Sequence, residues 1–299
     1  MPRKRTRRHC AVVDGCGIQF TGDAHISDSK SSLFEAVNPI LTRQGAVASL
    51  AERRRFVVTL ERAIRQRDVV SKLWSKITSD HNDIISLIQI SLSSGDVDEA
   101  IWRCFLAAHF GRSSARGERQ IQSGSRFLCA FHRSPVWTWK QVSRDPDALR
   151  EWLSECDDLE SLRYGSHRKY ESQKPELIWS VIESFILLVD EFDTPTRLFS
   201  VGADEADDGF DCLYRRLRPV LRFGRTGRFD FLILLFDLGF ISAQPIRPYL
   251  RGSTGPLAGA KLMWGTRSPN ALDMLAADLS AQLSVSPIVM EDALCNWQK

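Results

Sequence analysis

The segment that decides the fold covers residues 249–260 and reads YLRGSTGPLAGA. Pro248 would end the preceding element of secondary structure, and a Gly-Ser-Thr-Gly turn follows it. Pro256 stands where a new helix would begin. The pattern predicts a helix, a glycine hairpin and a second helix. Glycines let a backbone approach a ligand closely, and a helix start offers unpaired N–H groups at its positive dipole end. A plain glycine-rich connector is the alternative. We predict that the turn binds a DNA phosphate through four residues: Gly252, Ser253, Thr254 and Gly255.

The carboxyl-terminal segment 286–295 supplies acids that could work with this hairpin. It reads SPIVMEDALC, and its apolar stretch would place Glu291 and Asp292 at the start of a helix. It is similar to helix-hairpin-helix DNA glycosylases, in which the hairpin is followed by an apolar segment that presents an Asp at a helix start. The predicted catalytic carboxylates are therefore Glu291 and Asp292, with capping of the helix dipole as the alternative.

The stretch between hairpin and acids is longer than in the endonuclease-III-type glycosylases. Residues 269–283 look like an inserted amphipathic helix, and its acids Asp273 and Asp278 are rival catalytic candidates by spacing. The hairpin has Gly-x-x-Gly in place of Gly-x-Gly, and no lysine stands just inside the following helix, since Lys261 comes later. Hydrolysis by a monofunctional enzyme is therefore favoured over a Schiff-base lyase step.

Helical periodicity dominates the chain after the first residues. Ser49 and Glu52 form a capping-box pattern ahead of a helix that reaches Ile64. Signals for two-residue hairpins between alternating strands are nearly absent. The sequence predicts an all-α protein of about ten helices, with a basic flexible arm over residues 1–30 and one catalytic domain over residues 31–299. Further helical segments are predicted within residues 100–110, 149–159, 178–192 and 229–238.

The positive charge is concentrated at the amino terminus. Five of the first ten residues are Lys or Arg, while the remaining body has 35 basic and 37 acidic residues. Such an arm suits a polyanion, because each phosphate that it neutralises releases a counterion; a solubilising tail is the alternative. The seven scattered cysteines are typical of a reducing cytoplasm. No second ligand pair follows Cys10 and Cys16 at zinc spacing, and no apolar run is long enough to span a membrane. We expect a cytoplasmic protein with no metal, cofactor or membrane partner.

Three further strings point to a family. They are YGSHRKYES at residues 164–172, FGRTGRFD at residues 223–230 and MEDALCNWQK at residues 290–299. Together with residues 252–259 and the apolar segment 100–111, they resemble the α-glutamyl/putrescinyl thymine pyrophosphorylase family. The HRKYES and FGRxGRFD strings are specific in combination. The resemblance implies the helix-hairpin-helix DNA-glycosylase fold and action on hypermodified bases in phage-type DNA.

The remaining candidate residues come from these strings. The cationic and aromatic cluster at residues 167–170 could line a groove or a flipped-base pocket, although a lone histidine is more often structural. Arg225 and Arg228 could bind phosphate or sugar hydroxyls, and Asp230 could accept hydrogen bonds from a polar adduct. An internal Arg225–Asp230 ion pair is the alternative. The predicted DNA contacts are Arg168, Lys169, Arg225 and Arg228, and the predicted base pocket comprises His167, Tyr170 and Asp230.

The resemblance implies two chemistries. Some members would replace a pyrophosphate on hydroxymethyluracil with an amino acid or a polyamine, and related bacterial proteins look like glycosylases that serve antiphage defence. The hairpin and the downstream acid favour a monofunctional DNA glycosylase, which flips out and hydrolyses a bulky pyrimidine such as glucosylated hydroxymethylcytosine. A base-modifying transferase and a DNA-binding module without activity are the alternatives. The expected partner is double-stranded DNA carrying modified bases, and the oligomeric state is left open.

Overall fold

Helices make up all the regular secondary structure in the described part of the chain. A computed structural model describes residues 26–74, 84–111, 122–132, 136–165, 172–200 and 209–299. Within these ranges there are fourteen α-helices, two 3-10 turns and no strand, which confirms the all-α prediction but exceeds the predicted number of helices. The helices are α1 Ile26–Arg43, α2 Leu50–Trp74, α3 Ile84–Ser93, α4 Val97–Phe110, α5 Gln122–Leu128, α6 Trp139–Arg144, α7 Pro146–Glu155, α8 Pro175–Asp190, α9 Pro195–Ser200, α10 Gly209–Arg216, α11 Arg225–Asp237, α12 Gly255–Trp264, α13 Pro269–Gln282 and α14 Pro287–Trp297.

Local capping signals fix several helix ends where the sequence predicts them. The Ser49 N–H donates to Glu52 Oε2 at 2.7 Å, and the Glu52 N–H donates to Ser49 Oγ at 3.3 Å, so the capping box opens α2. Gly111 ends α4 with a φ of +76°, in the left-handed region that glycine tolerates. The extra helices are mostly short ones, such as α6 and α9, which are too brief to show an amphipathic repeat.

The start of α14 differs from the prediction. The helix begins at Pro287, and the Ser286 Oγ accepts a hydrogen bond from the Ile288 N–H at 3.3 Å. Glu291 and Asp292 therefore lie in the second turn and not at the helix start, where they were expected. Because the helix dipole acts mainly within the first turn, dipole capping does not explain these two acids.

The buried apolar side chains form two clusters. The smaller cluster joins α1, α2, α12, α13 and α14, so the two ends of the described chain meet. The larger cluster joins helices from α3 to α11 and is rich in stacked rings, for example Phe105 and Phe185 with centroids 4.0 Å apart. Tyr249 belongs to the larger cluster and Leu250 to the smaller one. The chain therefore crosses the boundary between the clusters, here called the seam, immediately before the glycine hairpin.

Two glycines of the hairpin segment allow α12 to pack closely on α14. A Cβ on Gly255 would lie 2.6 Å from the Cys295 Sγ, and a Cβ on Gly259 would overlap the carbonyl oxygen of Leu294. Part of the glycine pattern in residues 249–260 thus serves contact between helices. Gly252, with a φ of +82°, serves the turn itself.

The amino-terminal arm falls mostly outside the described residues. α1 begins at Ile26, four residues before the predicted end of the arm at residue 30, and residues 1–25 lie outside the description. None of the described helices is both long and apolar enough to cross a membrane. The division into arm and catalytic domain remains a prediction.

Candidate active site

A connected group of polar side chains lies at the seam, around the chain from Pro248 to Leu250. We call this group the seam network. It brings together residues from α10, α11, α13, α14 and the loop before α12. Its members are Asp211, Arg225, Arg247, Tyr249, Asp273 and Glu291.

Arg225 and Glu291 form the central ion pair of the network. The Arg225 Nη1 lies 2.7 Å from the Glu291 Oε1, and the two side chains are 6% and 18% exposed. The Arg225 Nε donates to the Tyr249 carbonyl at 2.8 Å, and its Nη2 donates to the Pro248 carbonyl at 2.6 Å. The predicted alternative partner, Asp230, is therefore not the acid that pairs with Arg225. Because the guanidinium donates to three protein groups, direct DNA contact by Arg225 would require it to exchange partners.

Asp273 fixes the main chain on the other side of the seam. Its Oδ1 accepts a hydrogen bond from the Leu250 N–H at 3.1 Å, and its Oδ2 lies 3.8 Å from the Arg247 Nε. Burial raises the pKa of this carboxyl, against the hydrogen bond from Leu250 and the charge of Arg247. Asp273 thus belongs to the same network as Glu291, and the sequence alone could not decide between these two catalytic candidates.

Tyr249 has a left-handed backbone that these contacts hold in place. Its φ is +57°, a conformation that costs a residue with a side chain about 1–2 kcal/mol. Arg225 binds the carbonyl of Pro248 in the peptide group before Tyr249, and in the peptide group after it Arg225 binds the Tyr249 carbonyl while Asp273 binds the Leu250 N–H, so both flanking peptide groups are fixed. A strained residue held by a buried network is typical of a functional site.

The Tyr249 side chain adds three residues that the sequence reasoning missed. Its hydroxyl donates to Asp211, which also pairs with Arg247, and its ring centroid lies 4.6 Å from that of Tyr214. Burial and the bond to Asp211 raise the pKa of Tyr249, so the phenol remains protonated. The run Arg247-Pro248-Tyr249 beside the hairpin was a local signal, but nothing in the sequence linked it to Asp211 or Tyr214.

Glu291 has the electrostatic properties of a proton acceptor. Burial raises its pKa most, and the neighbouring charges of Asp230 and Asp292 raise it further, while Arg225 lowers it. Burial also raises the pKa of the nearby Cys295 thiol, with Glu291 as a second cause. A partly exposed carboxylate with a raised pKa can remove a proton from a bound nucleophile near neutral pH.

The other predicted residues are distributed around this centre. Asp292 Oδ1 accepts a hydrogen bond from Asn296 at 2.8 Å, and Asp278 is exposed and accepts one from Gln44. Asp230 is exposed on α11 within electrostatic range of Glu291. Arg228 stands over the ring of Tyr214, with its Cζ 4.4 Å from the centroid. Four predicted residues lie outside the described residues: His167, Arg168, Lys169 and Tyr170.

The glycine hairpin adjoins the seam network, but the helix predicted before it is wrong: α11 ends at Asp237, residues 238–254 contain no helix, and only the second helix, α12, is found. Pro245 and Pro248 lie in this segment, and proline lacks the N–H that a helix needs. A Cβ on Gly252 would lie 3.6 Å from the Arg225 Cβ. The Ser253 hydroxyl is buried, donates to the Leu250 carbonyl at 2.8 Å and accepts from the Leu257 N–H at 3.2 Å, so it stabilises the turn. Thr254 and Arg251 are exposed at the tip of the turn. The structure thus brings the hairpin together with Asp273 and Glu291, which lie on two later helices of the chain.

The fold and the site together define an all-helical protein whose buried carboxylates and arginines are suited to proton transfer and anion binding. The model of the family described as alpha-glutamyl/putrescinyl thymine pyrophosphorylase clade 3 matches residues 45–299. The chain therefore belongs to this family, as its sequence strings predicted. The family is a clade of thymine-modifying pyrophosphorylases and is tied to hypermodified DNA bases. No curated protein and no solved structure matches the chain.

Membership of the family corrects the predicted enzyme type. A monofunctional DNA glycosylase, which hydrolyses the bond between base and sugar, was expected. That prediction is wrong, because the family is named for a pyrophosphorylase that acts on thymine, which is a transferase and not a hydrolytic glycosylase. The glycine hairpin and the downstream acid favoured hydrolysis, because DNA glycosylases share both features, whereas the family strings also implied a transferase.

Proposed function

We propose that the protein joins an amine to a 5-hydroxymethyluracil base in DNA whose hydroxymethyl oxygen carries a diphosphate. The bond between the methylene carbon and the diphosphate oxygen breaks, and pyrophosphate leaves with the electron pair. The bound ammonium first loses one proton to a base; its nitrogen then forms a bond to the methylene carbon and loses a second proton, which leaves with the pyrophosphate. The amine donor is an amino acid or a polyamine, in line with the family description. The base remains attached to its sugar throughout.

The ion pair of Glu291 with Arg225 is the observation that carries this proposal. An amine is mostly protonated at neutral pH and must lose a proton before its lone pair can attack. Glu291 supports that step, because its raised pKa brings the carboxyl closer to the amine in basicity than a surface glutamate would be. Arg225 fixes the carboxylate through a 2.7 Å hydrogen bond and connects it to the hairpin side of the seam. Asp273 and Asp292 are retained as supporting acids, with Asp273 as a positioning residue.

The hairpin supports a DNA-bound substrate. We propose that the glycine turn and the start of α12 bind the DNA backbone as the hairpin of a DNA glycosylase does, although no helix directly precedes the turn, and without hydrolysis of the base. The exposed Arg251 and Thr254 would contact a phosphate together with the N–H groups of Gly252 and Gly255. The target base would be flipped out of the duplex toward Glu291. The basic residues among the first ten would add affinity that is independent of sequence.

The test uses purified full-length protein and a duplex with one 5-(diphosphooxymethyl)uracil. The duplex is incubated with single amino acids and with putrescine-type diamines, and released pyrophosphate is measured. Mass spectrometry of the digested nucleosides then identifies the adduct. We expect pyrophosphate and an amine-substituted nucleoside in equal amounts with at least one donor. Pyrophosphate release without any adduct, or no reaction with any donor, would refute the proposal.

A further inference from the structure

We infer that Tyr214, Arg218 and Arg228 form an anion subsite that holds the diphosphate of the activated base next to Glu291. The inference rests on the proposed function and extends it to the leaving group. Tyr214 lies on α10, Arg218 lies in the turn after it, and Arg228 lies on α11. Neither Tyr214 nor Arg218 belongs to the residues that the sequence singled out.

Tyr214 presents a hydroxyl group that is ready to donate. Its ring lies between the guanidinium of Arg228, with the Cζ 4.4 Å from the centroid, and the ring of Tyr249, with centroids 4.6 Å apart. These contacts hold the half-buried ring in one orientation. The hydroxyl makes no hydrogen bond to any residue that the structure describes. Burial raises the pKa of Tyr214, and the charge of Asp273 raises it further, while the charges of Arg228, Arg225 and Arg218 lower it, so three cations and one acid lie within electrostatic range of this hydroxyl.

The two arginines of the subsite lack the acidic partners that the arginines of the seam network have. Arg225 is neutralised by Glu291, and Arg247 by Asp211. Among the described residues, Arg218 and Arg228 have no carboxylate within salt-bridge distance. Arg228 makes two long hydrogen bonds of 3.4 Å to the carbonyls of Gly224 and Tyr214, and Arg218 is exposed. Guanidinium groups without acids, beside a phenol donor, are suited to binding a multivalent oxyanion.

The position of the subsite favours the diphosphate over a phosphate of the DNA backbone. Arg225 and Arg228 lie three residues apart on α11, about 4.5 Å along the helix, so that the anion would lie about one turn from the Arg225–Glu291 pair. A diphosphate held there places its attached methylene carbon toward the carboxylate. The exposed cation of the hairpin tip, Arg251, is available for the backbone instead.

The experiment measures pyrophosphate binding to the full-length chain by calorimetry. The variants are Tyr214→Phe, which keeps the ring but loses the hydroxyl, Arg218→Gln and Arg228→Gln. Arg150→Gln, an exposed arginine on α7, is the matched control. We expect each subsite variant to weaken pyrophosphate binding about tenfold, as loss of a charge-assisted hydrogen bond does. The control should be unchanged, and the affinity for an unmodified duplex should change less than about twofold.

Three outcomes would overturn the inference. Wild-type protein that does not bind pyrophosphate excludes the subsite, as does unchanged affinity in all three variants. Equal weakening for pyrophosphate and for the unmodified duplex would assign these residues to the DNA backbone. Tyr214→Phe keeps the test valid if an arginine variant does not fold. Failure of the proposed function is distinguishable, because it would give normal pyrophosphate binding without amine transfer.

Discussion

The Arg225 guanidinium contacts three groups from two segments of the chain. It donates to the carbonyls of Pro248 and Tyr249 and to the Glu291 carboxylate, so the position of the acid depends on the shape of the loop. The strings FGRTGRFD and MEDALCNWQK identified Arg225 and Glu291 separately as candidates. Their pairing could not be predicted, because 66 residues separate them and no local pattern encodes a tertiary contact.

Substitution of Glu291 by Gln tests its role as the base. The amide keeps the size of the side chain and an acceptor for Arg225, but cannot remove a proton near neutral pH. We expect the rate of amine transfer to fall by about 10²–10⁴-fold. The wild-type rate should rise with pH as Glu291 ionises, at a pH above the usual glutamate pKa of about 4.3, and this limb should be lost in the variant. Steady-state rates across pH measure both effects.

The control is Glu151→Gln on α7, an exposed glutamate whose substitution should leave the rate unchanged. A Glu291→Gln variant that retains the limb in its pH profile would show that another group accepts the proton.

Substitution of Asp273 by Asn tests the buried acid through stability. Its pKa is raised in the folded state, so folding favours the protonated form. The contribution of Asp273 to the free energy of unfolding is therefore greatest below the unfolded pKa of about 3.9 and is lost as pH rises through the folded pKa. Asn keeps an acceptor for the Leu250 N–H and does not titrate. The unfolding free energy of wild type relative to the variant should therefore fall as pH rises above about 4.

Urea unfolding between pH 4 and pH 8 measures this difference. Asp278→Asn, on the exposed side of the same helix, controls for the loss of one negative charge. Parallel pH curves for wild type and Asp273→Asn would contradict the raised pKa.

At the scale of the elements, the contact between α12 and α14 joins the hairpin to the carboxylates. Gly255 and Gly259 lie one turn apart on α12 and face Cys295 and Leu294 on α14. The sequence assigned these glycines to ligand approach, and the Gly-x-x-x-Gly spacing was the available signal for close helix packing. That spacing is ambiguous in a sequence, since the partner helix is not known. Glu291 lies on α14 and the hairpin precedes α12, so this contact sets the distance between them.

Substitution of Gly259 by Ala should weaken that contact. The new Cβ would overlap the main-chain carbonyl of Leu294, which no side-chain rotation can relieve, so the helices must separate. Overpacking of this kind costs about 1–3 kcal/mol. Gly124→Ala in α5 is the matched control, because its Cβ would lie 3.5 Å from Ile84 Cγ1 in ordinary contact. The control should be neutral or stabilise by up to about 1 kcal/mol.

Urea unfolding of both variants gives the comparison, and the amine-transfer rate should fall for Gly259→Ala alone. Equal free energies of unfolding for the two alanine variants would show that α14 can move away from α12 without loss of stability.

At the scale of the whole molecule, the hydrophobic pattern predicts much of the helical content but not the arrangement of the helices. The caps at Ser49 and Gly111 are local, so the sequence predicts them correctly. The assembly of the first and last described helices into the smaller cluster depends on contacts across more than 200 residues, such as that of Trp264 with Gln44. The seam follows from this arrangement, and for this reason Asp211 and Tyr214 could not be foreseen.

The ion pair of Arg67 with Asp237 ties the two clusters together and provides a test of this arrangement. Arg67 lies on α2 of the smaller cluster, Asp237 ends α11 of the larger one, and their side chains are 22% and 6% exposed. Arg67→Met would leave the buried carboxylate without its partner, at a cost of about 3 kcal/mol. The double variant Arg67→Met/Asp237→Leu should recover most of that loss, because no charge remains buried.

A double-mutant cycle by urea unfolding measures the coupling. The control cycle uses Arg65 and Glu61, an i,i+4 pair on the same helix whose arginine is exposed, and its coupling should be at most about 0.5 kcal/mol. Because α11 also carries Arg225, loss of the tie should slow amine transfer even where the protein remains folded. Purely additive effects at Arg67 and Asp237 would mean that this ion pair does not hold the two clusters together, and the seam network would then not depend on it.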